Sequence, residues 1–142
     1  MRDWRPSASY DARVLEDAAR QFSACLAAPE FRNALARPRG NVELWREKRF
    51  ETVLDGHWVS GVFDRVMISR DESGKPVEAA ILDFKSNRGL GTDESIRLTA
   101  EHYRPQMAIY RRALSRILGL PEKKISLQLL FTAPARVFSF QA

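Results

Sequence analysis

Two stretches, Val62-Phe63-Asp64-Arg65-Val66-Met67-Ile68 and Ala80-Ile81-Leu82-Asp83-Phe84-Lys85, decide how this chain folds. Both are rich in branched and aromatic residues, and both carry an aspartate inside the apolar run, where Asp is a poor strand former. Period-two alternation places Asp64 on one face with Val62, Val66 and Ile68, and Asp83 beside Ile81 and Lys85. Between the two runs lies Asp71-Glu72-Ser73-Gly74-Lys75, a polar turn. A hairpin closed symmetrically about Ser73-Gly74 sets Asp64 directly opposite Asp83, with Cβ atoms about 4.5–5.5 Å apart. Two like charges so placed destabilise a sheet unless something positive sits between them.

Outward from this hairpin the pattern extends in both directions. Residues 43–54 read as an earlier strand, joined through the hairpin signal Asp55-Gly56 to the strand at 58–69; residues 77–85 form the third. Further upstream, Val14, Leu15, Ala18, Phe22, Cys25 and Leu26 recur at spacings of three and four, so a helix is expected over 11–26, capped by Ser9 or Asp11. A second short helix is expected over 30–36, ahead of the break at Pro38-Arg39-Gly40. Downstream, residues 87–93 carry two glycines and read as a loop. Residues 94–118 then carry a helical stripe of Ile96, Tyr103, Met107, Tyr110, Leu114, Ile117 and Leu118, with Pro105 near its first turn or kinking it. Gly119 and Pro121 stop that helix. Short strands at 126–131 and 136–140 complete an α/β domain: an antiparallel meander of three strands, a long helix packed across it, and two further strands in a mixed sheet.

Composition narrows what such a domain can do. The 142 residues suffice for one domain with its own core, and 44% hydrophobic against 29% charged residues excludes wholesale disorder. A helical segment over 1–40 is expected to precede a core over 41–142. One cysteine, Cys25, excludes an internal disulfide and a cysteine-ligated cluster within the chain, and fits a reducing cytoplasm. No apolar run approaches the roughly 20 residues of a membrane span, and the N-terminal MRDWRPSASYDAR lacks the apolar centre of a secretory signal. The net charge of +5 favours a polyanionic partner such as nucleic acid.

The opposed aspartates carry the chemistry. A divalent cation with oxygen ligands, Mg²⁺ or Mn²⁺, resolves their repulsion, with the Phe84 carbonyl as a further ligand and Lys85 as a second positive charge on the same face. Metal, paired carboxylates and an adjacent lysine suit phosphodiester hydrolysis, Lys85 orienting or deprotonating the nucleophile and offsetting charge on the phosphate. The plain structural alternative is an intra-sheet salt bridge, Asp64 with Lys85 or Asp83 with Arg65.

In order, Gly61-Val62-Phe63-Asp64-Arg65, Asp83-Phe84-Lys85-Ser86 and Tyr103-Arg104-Pro105-Gln106-Met107-Ala108-Ile109-Tyr110 resemble the G-x-x-D-R, D-x-K-S/T and Y-x-x-Q-x-x-x-Y elements of the RecB/AddA-type nuclease domain. That domain is a branch of the PD-(D/E)XK superfamily, with a restriction-endonuclease-like core. The resemblance runs from Glu47 to Phe131 and includes Glu47 itself, where the family carries a glutamate before the Phe of its first strand. It implies a Mg²⁺-dependent deoxyribonuclease, exonuclease V-like, and catalytic roles for Asp64, Asp83, Lys85 and Glu47. It also implies a setting as the C-terminal module of a UvrD/Rep-like helicase-nuclease in double-strand break repair, so that the chain is a fragment of a larger protein partnered by a helicase. By matching position it implies DNA contacts for Gln106 and Tyr110. Tyr103 and Tyr110 read equally as core aromatics. Arg104, with Arg111, Arg112 and Arg116, reads either as a phosphate contact or as a solvated face. The chain departs from many relatives in having no histidine on the 11–26 helix; His57 and His102 lie elsewhere. The missing histidine favours a second reading, a DNA-binding module of the same fold without hydrolysis. The single cysteine excludes the branch with a four-cysteine iron–sulfur cluster.

Overall fold

In the computed structural model, which describes residues 12–141, the elements follow in the order α1 (Ala12–Ala27), α2 (Pro29–Leu35), β1 (Val42–Leu54), β2 (His57–Arg70), β3 (Pro76–Lys85), α3 (Asp93–Leu118), β4 (Ile125–Phe131) and β5 (Arg136–Phe140). The expected caps Ser9 and Asp11, with most of the N-terminal stretch, lie outside the described residues. The first three strands form the expected antiparallel meander. Asp55 and Gly56 adopt left-handed φ angles of 51° and 76°, the two-residue turn whose twist matches the strands it joins. α3 carries the chain back so that β4 runs parallel to β3, and β5 turns antiparallel at the far edge, giving the order β1-β2-β3-β4-β5.

α3 starts at a capping box in which the Thr92 hydroxyl accepts from Ser95 N–H and the Ser95 hydroxyl accepts from Thr92 N–H, and it ends at Gly119, left-handed at φ 67°. The helix is continuous from Asp93, so Pro105 stands in its interior and not near its first turn. There the proline ring removes one backbone hydrogen bond from the helix. α3 covers one face of the sheet, where Phe63, Val66, Ile68, Ile81 and Leu129 meet Ala100, Met107 and Leu114. The opposite face packs Met67, Leu82 and Leu130 against Cys25 and Phe31 of α1 and α2.

The β2–β3 register is the expected one: Arg65 pairs with Leu82 and Ile68 with Ala79, the frame in which Asp64 falls opposite Asp83, and it slips only between Ser69 and Arg70, beside the turn. The grouping of faces is not as expected. Val66 and Ile68 lie on the α3 face, but so does Phe63, whereas Val62 is 37% exposed. Side-chain alternation therefore reverses between Phe63 and Val66. It reverses on β1 as well, where Trp45 and Phe50, an odd number of residues apart, both pack on the α3 face. Pairing runs Arg46–Arg65 and then Lys48–Phe63, leaving Glu47 and Asp64 across from each other and outside the ladder. Glu47 is the cause on β1: its backbone is left-handed at φ 46°, which rotates the strand and exchanges its faces.

Candidate active site

β2 and β3 cease to pair at Arg65 and Leu82, one residue short of the two aspartates. Beyond that point a side chain replaces the ladder: the Phe84 N–H donates to Asp64 Oδ2 at 2.9 Å. Asp64 is thereby fixed at the mouth of the opening between the strands. Asp83 points to the α3 side and is only 4% exposed. Its Oδ2 lies 2.7 Å from Lys85 Nζ, in an ion pair that is almost wholly enclosed. Burial pushes the Asp83 carboxyl above the usual range and the neighbouring Asp64 charge adds to the rise, outweighing the opposing pull of Lys85.

Lys85 is enclosed by α3. Its ammonium donates to Gln106 Oε1 at 3.2 Å and sits 4.2 Å from the centre of the Tyr103 ring. The Tyr103 hydroxyl donates to Asn87 Oδ1 at 3.2 Å, tying the helix to the chain just past Lys85. Gln106 Nε2 reaches the Tyr110 hydroxyl at 3.4 Å. Tyr110 meets Phe50 and Phe63 edge-on, with ring centres 5.5 and 5.6 Å away, so one tyrosine belongs at once to the core and to the polar row. The end of β3 is pinned from β4, where Thr132 N–H donates to the Lys85 carbonyl at 2.9 Å.

Asp64, Asp83, Lys85, Gln106, Tyr103 and Tyr110 are thus brought into one row at the end of β3. Glu47 stands across from Asp64 in the β1–β2 frame, but among the described residues no three Asp, Glu, His or Cys side chains gather closely enough to hold an ion together. Phe84 turns its ring to the other face, 6.5 Å from Phe31. Arg104 does not join the row: its guanidinium bonds Glu101 at 2.6 and 2.7 Å and lies over the Phe140 ring. Of the two histidines, His57 opens β2 at the hairpin turn and His102 packs edge-on against Tyr103. Asn87 and Thr132 escaped the sequence reading. Asn87, two residues past Lys85, lay within reach of a motif-based search; Thr132 did not, because only the parallel β3–β4 pairing brings it to Lys85.

The donor set fits a hard divalent cation. Two neighbouring carboxylates, one of them buried, share a single lysine, which leaves the pair short of positive charge. Compared with protein-family models, the chain matches the PD-(D/E)XK nuclease superfamily over residues 2–141. Compared with curated proteins, it finds no match. None of the described helices is long and apolar enough to cross a membrane.

Proposed function

Because the chain belongs to the PD-(D/E)XK nuclease superfamily, we propose that it hydrolyses DNA phosphodiester bonds with Mg²⁺ or Mn²⁺ held by Asp64 and Asp83, as the nuclease module of a RecB/AddA-type helicase-nuclease in the reducing cytoplasm. The observation that carries this reading is the Asp83 carboxylate, buried beside the Asp64 carboxylate with Lys85 as the single cation against the pair among the described residues. Bound there, the cation supplies Lewis-acid stabilisation of charge at the scissile phosphate, with the Phe84 carbonyl available as a further ligand. Lys85, braced by Gln106 and Tyr103, holds the attacking water and offsets the negative charge that grows as the water oxygen bonds phosphorus and the ester P–O bond breaks. Gln106 and Tyr110 flank the strand being cut, and Glu47 acts from across Asp64. Helicase action feeds DNA to this opening.

Cleavage of end-labelled single- and double-stranded DNA tests the reading. Cutting in Mg²⁺ or Mn²⁺ is expected, and is expected to vanish in EDTA and in Lys85→Ala, the latter by about 10²–10³-fold or more. Cutting that persists in EDTA would refute it. A second reading, a DNA-gripping module of the same fold without hydrolysis, draws on the lack of a third ligand side chain beside the aspartates among the described residues. Calorimetric titration with Mn²⁺ separates the two: a saturable site lost in Asp83→Asn supports the nuclease, and no binding supports the module.

A further inference from the structure

Immediately beyond Lys85 the chain forms one wall of a cleft of about 630 Å³, and α1 forms the other. Arg88, Gly89 and Gly91 line the first wall; Asp17, Arg20 and Gln21 line the second. The cleft is an open groove and not an enclosed cavity. A Cβ at either Gly89 or Gly91 would meet nothing within 4 Å, so at those two positions the backbone faces open space. Across the cleft, Arg88 pairs with Asp17, whose carboxylate also accepts from Gln21 at 3.3 Å and feels Arg20 one turn further along α1. Arg88 is 70% exposed in that pair. Exposed ion pairs contribute about 0–1 kcal/mol, so this one yields readily to a stronger anion.

Resting on the nuclease reading above, we propose that the cleft between α1 and residues 86–92 is a subsite for the phosphate next to the scissile one, and that Asp17 occupies Arg88 until nucleic acid displaces it. Position supports this assignment. Arg88 is three residues past Lys85, so its backbone lies at most about 11 Å from that of the lysine, a reach of one or two nucleotides. Chemistry supports it as well. Two guanidiniums, Arg20 and Arg88, confront a single carboxylate, so the cleft keeps net positive charge when the Arg88–Asp17 pair is closed and more when a phosphate opens it. The two partners therefore act oppositely: Arg88 attracts the strand and Asp17 competes with it.

Anisotropy of a labelled single-stranded oligonucleotide, titrated with the full chain in EDTA at several salt concentrations, tests the competition. Arg88→Ala is expected to weaken binding about 3–10-fold and to lower the salt slope by about 0.7, the value for one phosphate contact on a single strand. Asp17→Ala is expected to tighten binding by about 2–5-fold, because it frees Arg88. Equal weakening by both substitutions would mean a structural tie between α1 and the loop and would overturn the proposal, as would an unchanged slope in Arg88→Ala. Metal-dependent cleavage by the same wild-type preparation separates the two levels of failure. Wild type that cuts while Arg88→Ala binds normally sinks the subsite alone; wild type that neither binds nor cuts sinks the nuclease reading with it.

Discussion

Glu47 holds a left-handed backbone, φ 46°, in the middle of a strand, where a residue with a Cβ is disfavoured by about 1–2 kcal/mol. Glu47→Gly removes that strain and is expected to raise stability by about 1 kcal/mol in thermal melts, while reducing metal-dependent cleavage because the carboxylate across from Asp64 is lost. A Glu47→Gly chain that is both more stable and fully active would deny Glu47 any part in the site. Gly61, in the strand paired to β1, has the opposite constraint. A Cβ there would lie 2.9 Å from two atoms of the Phe50 ring and 3.3 Å from Tyr110. Gly61→Ala is expected to cost about 1–3 kcal/mol by overpacking, and to lower activity through Tyr110 and its partner Gln106. At this scale the sequence was informative wherever a residue type was out of place. Asp64 and Asp83 stood out because carboxylates are costly in apolar strands, whereas Gln106 was reached only through the resemblance of its helix to a family motif. Glu47's conformation was not legible, since glutamate has no preference for the left-handed region and nothing in its neighbours signals it.

Among the elements, the β2–β3 register was readable from closure symmetric about Ser73-Gly74, even though side-chain alternation reverses on β2 between Phe63 and Val66. Asp71 holds that turn: its carboxylate accepts from Ser73 N–H at 2.9 Å, Ser73 O–H at 2.6 Å and Lys75 N–H at 3.0 Å, and these bonds keep its carboxyl below the usual range. A depressed folded-state pKa gives stability that is present above the unfolded value, about 3.9, and is lost as the pH falls towards the folded one. The stability difference between wild type and Asp71→Ala should therefore be constant at neutral pH and shrink in acid below about pH 4, as read by urea titration at each pH. A difference that grows in acid would contradict the assignment. β1 shows what alternation alone misses. It is an edge strand of 13 residues, and its edge is broken at Glu47 and lined by Arg46, Lys48, Arg49 and Glu51, which discourages pairing with another chain. In α3 the interior Pro105 costs helix stability, and Pro105→Ala is expected to stabilise the fold by about 1–3 kcal/mol in thermal melts.

For the molecule as a whole, the order of elements and the long helix across the meander followed from periodicity, whereas the second covered face of the sheet did not. Nor did the fate of α1. Its stripe predicts a helix correctly, but Val14, Leu15, Phe22 and Leu26 remain 54%, 54%, 66% and 47% exposed, because periodicity says which residues share a face and not whether that face is covered. The strongest whole-molecule consequence concerns the metal. An ion that binds the folded chain at Asp64 and Asp83, and not the unfolded one, stabilises every element through linkage, by about 2.7 kcal/mol at a hundredfold excess over Kd. For a chain of 142 residues this corresponds to a rise in Tm of roughly 9 °C. The rise should follow the logarithm of Mn²⁺ concentration and disappear in Asp83→Asn, whose buried site then lacks the charge that attracts the ion. Lys85→Ala should keep the shift and even enlarge it, since removing the ammonium 2.7 Å from Asp83 leaves the carboxylate pair without its only adjacent positive charge among the described residues. Opposite signs for these two substitutions distinguish an ion held by the carboxylate pair from general screening of a charged surface, which neither substitution would alter.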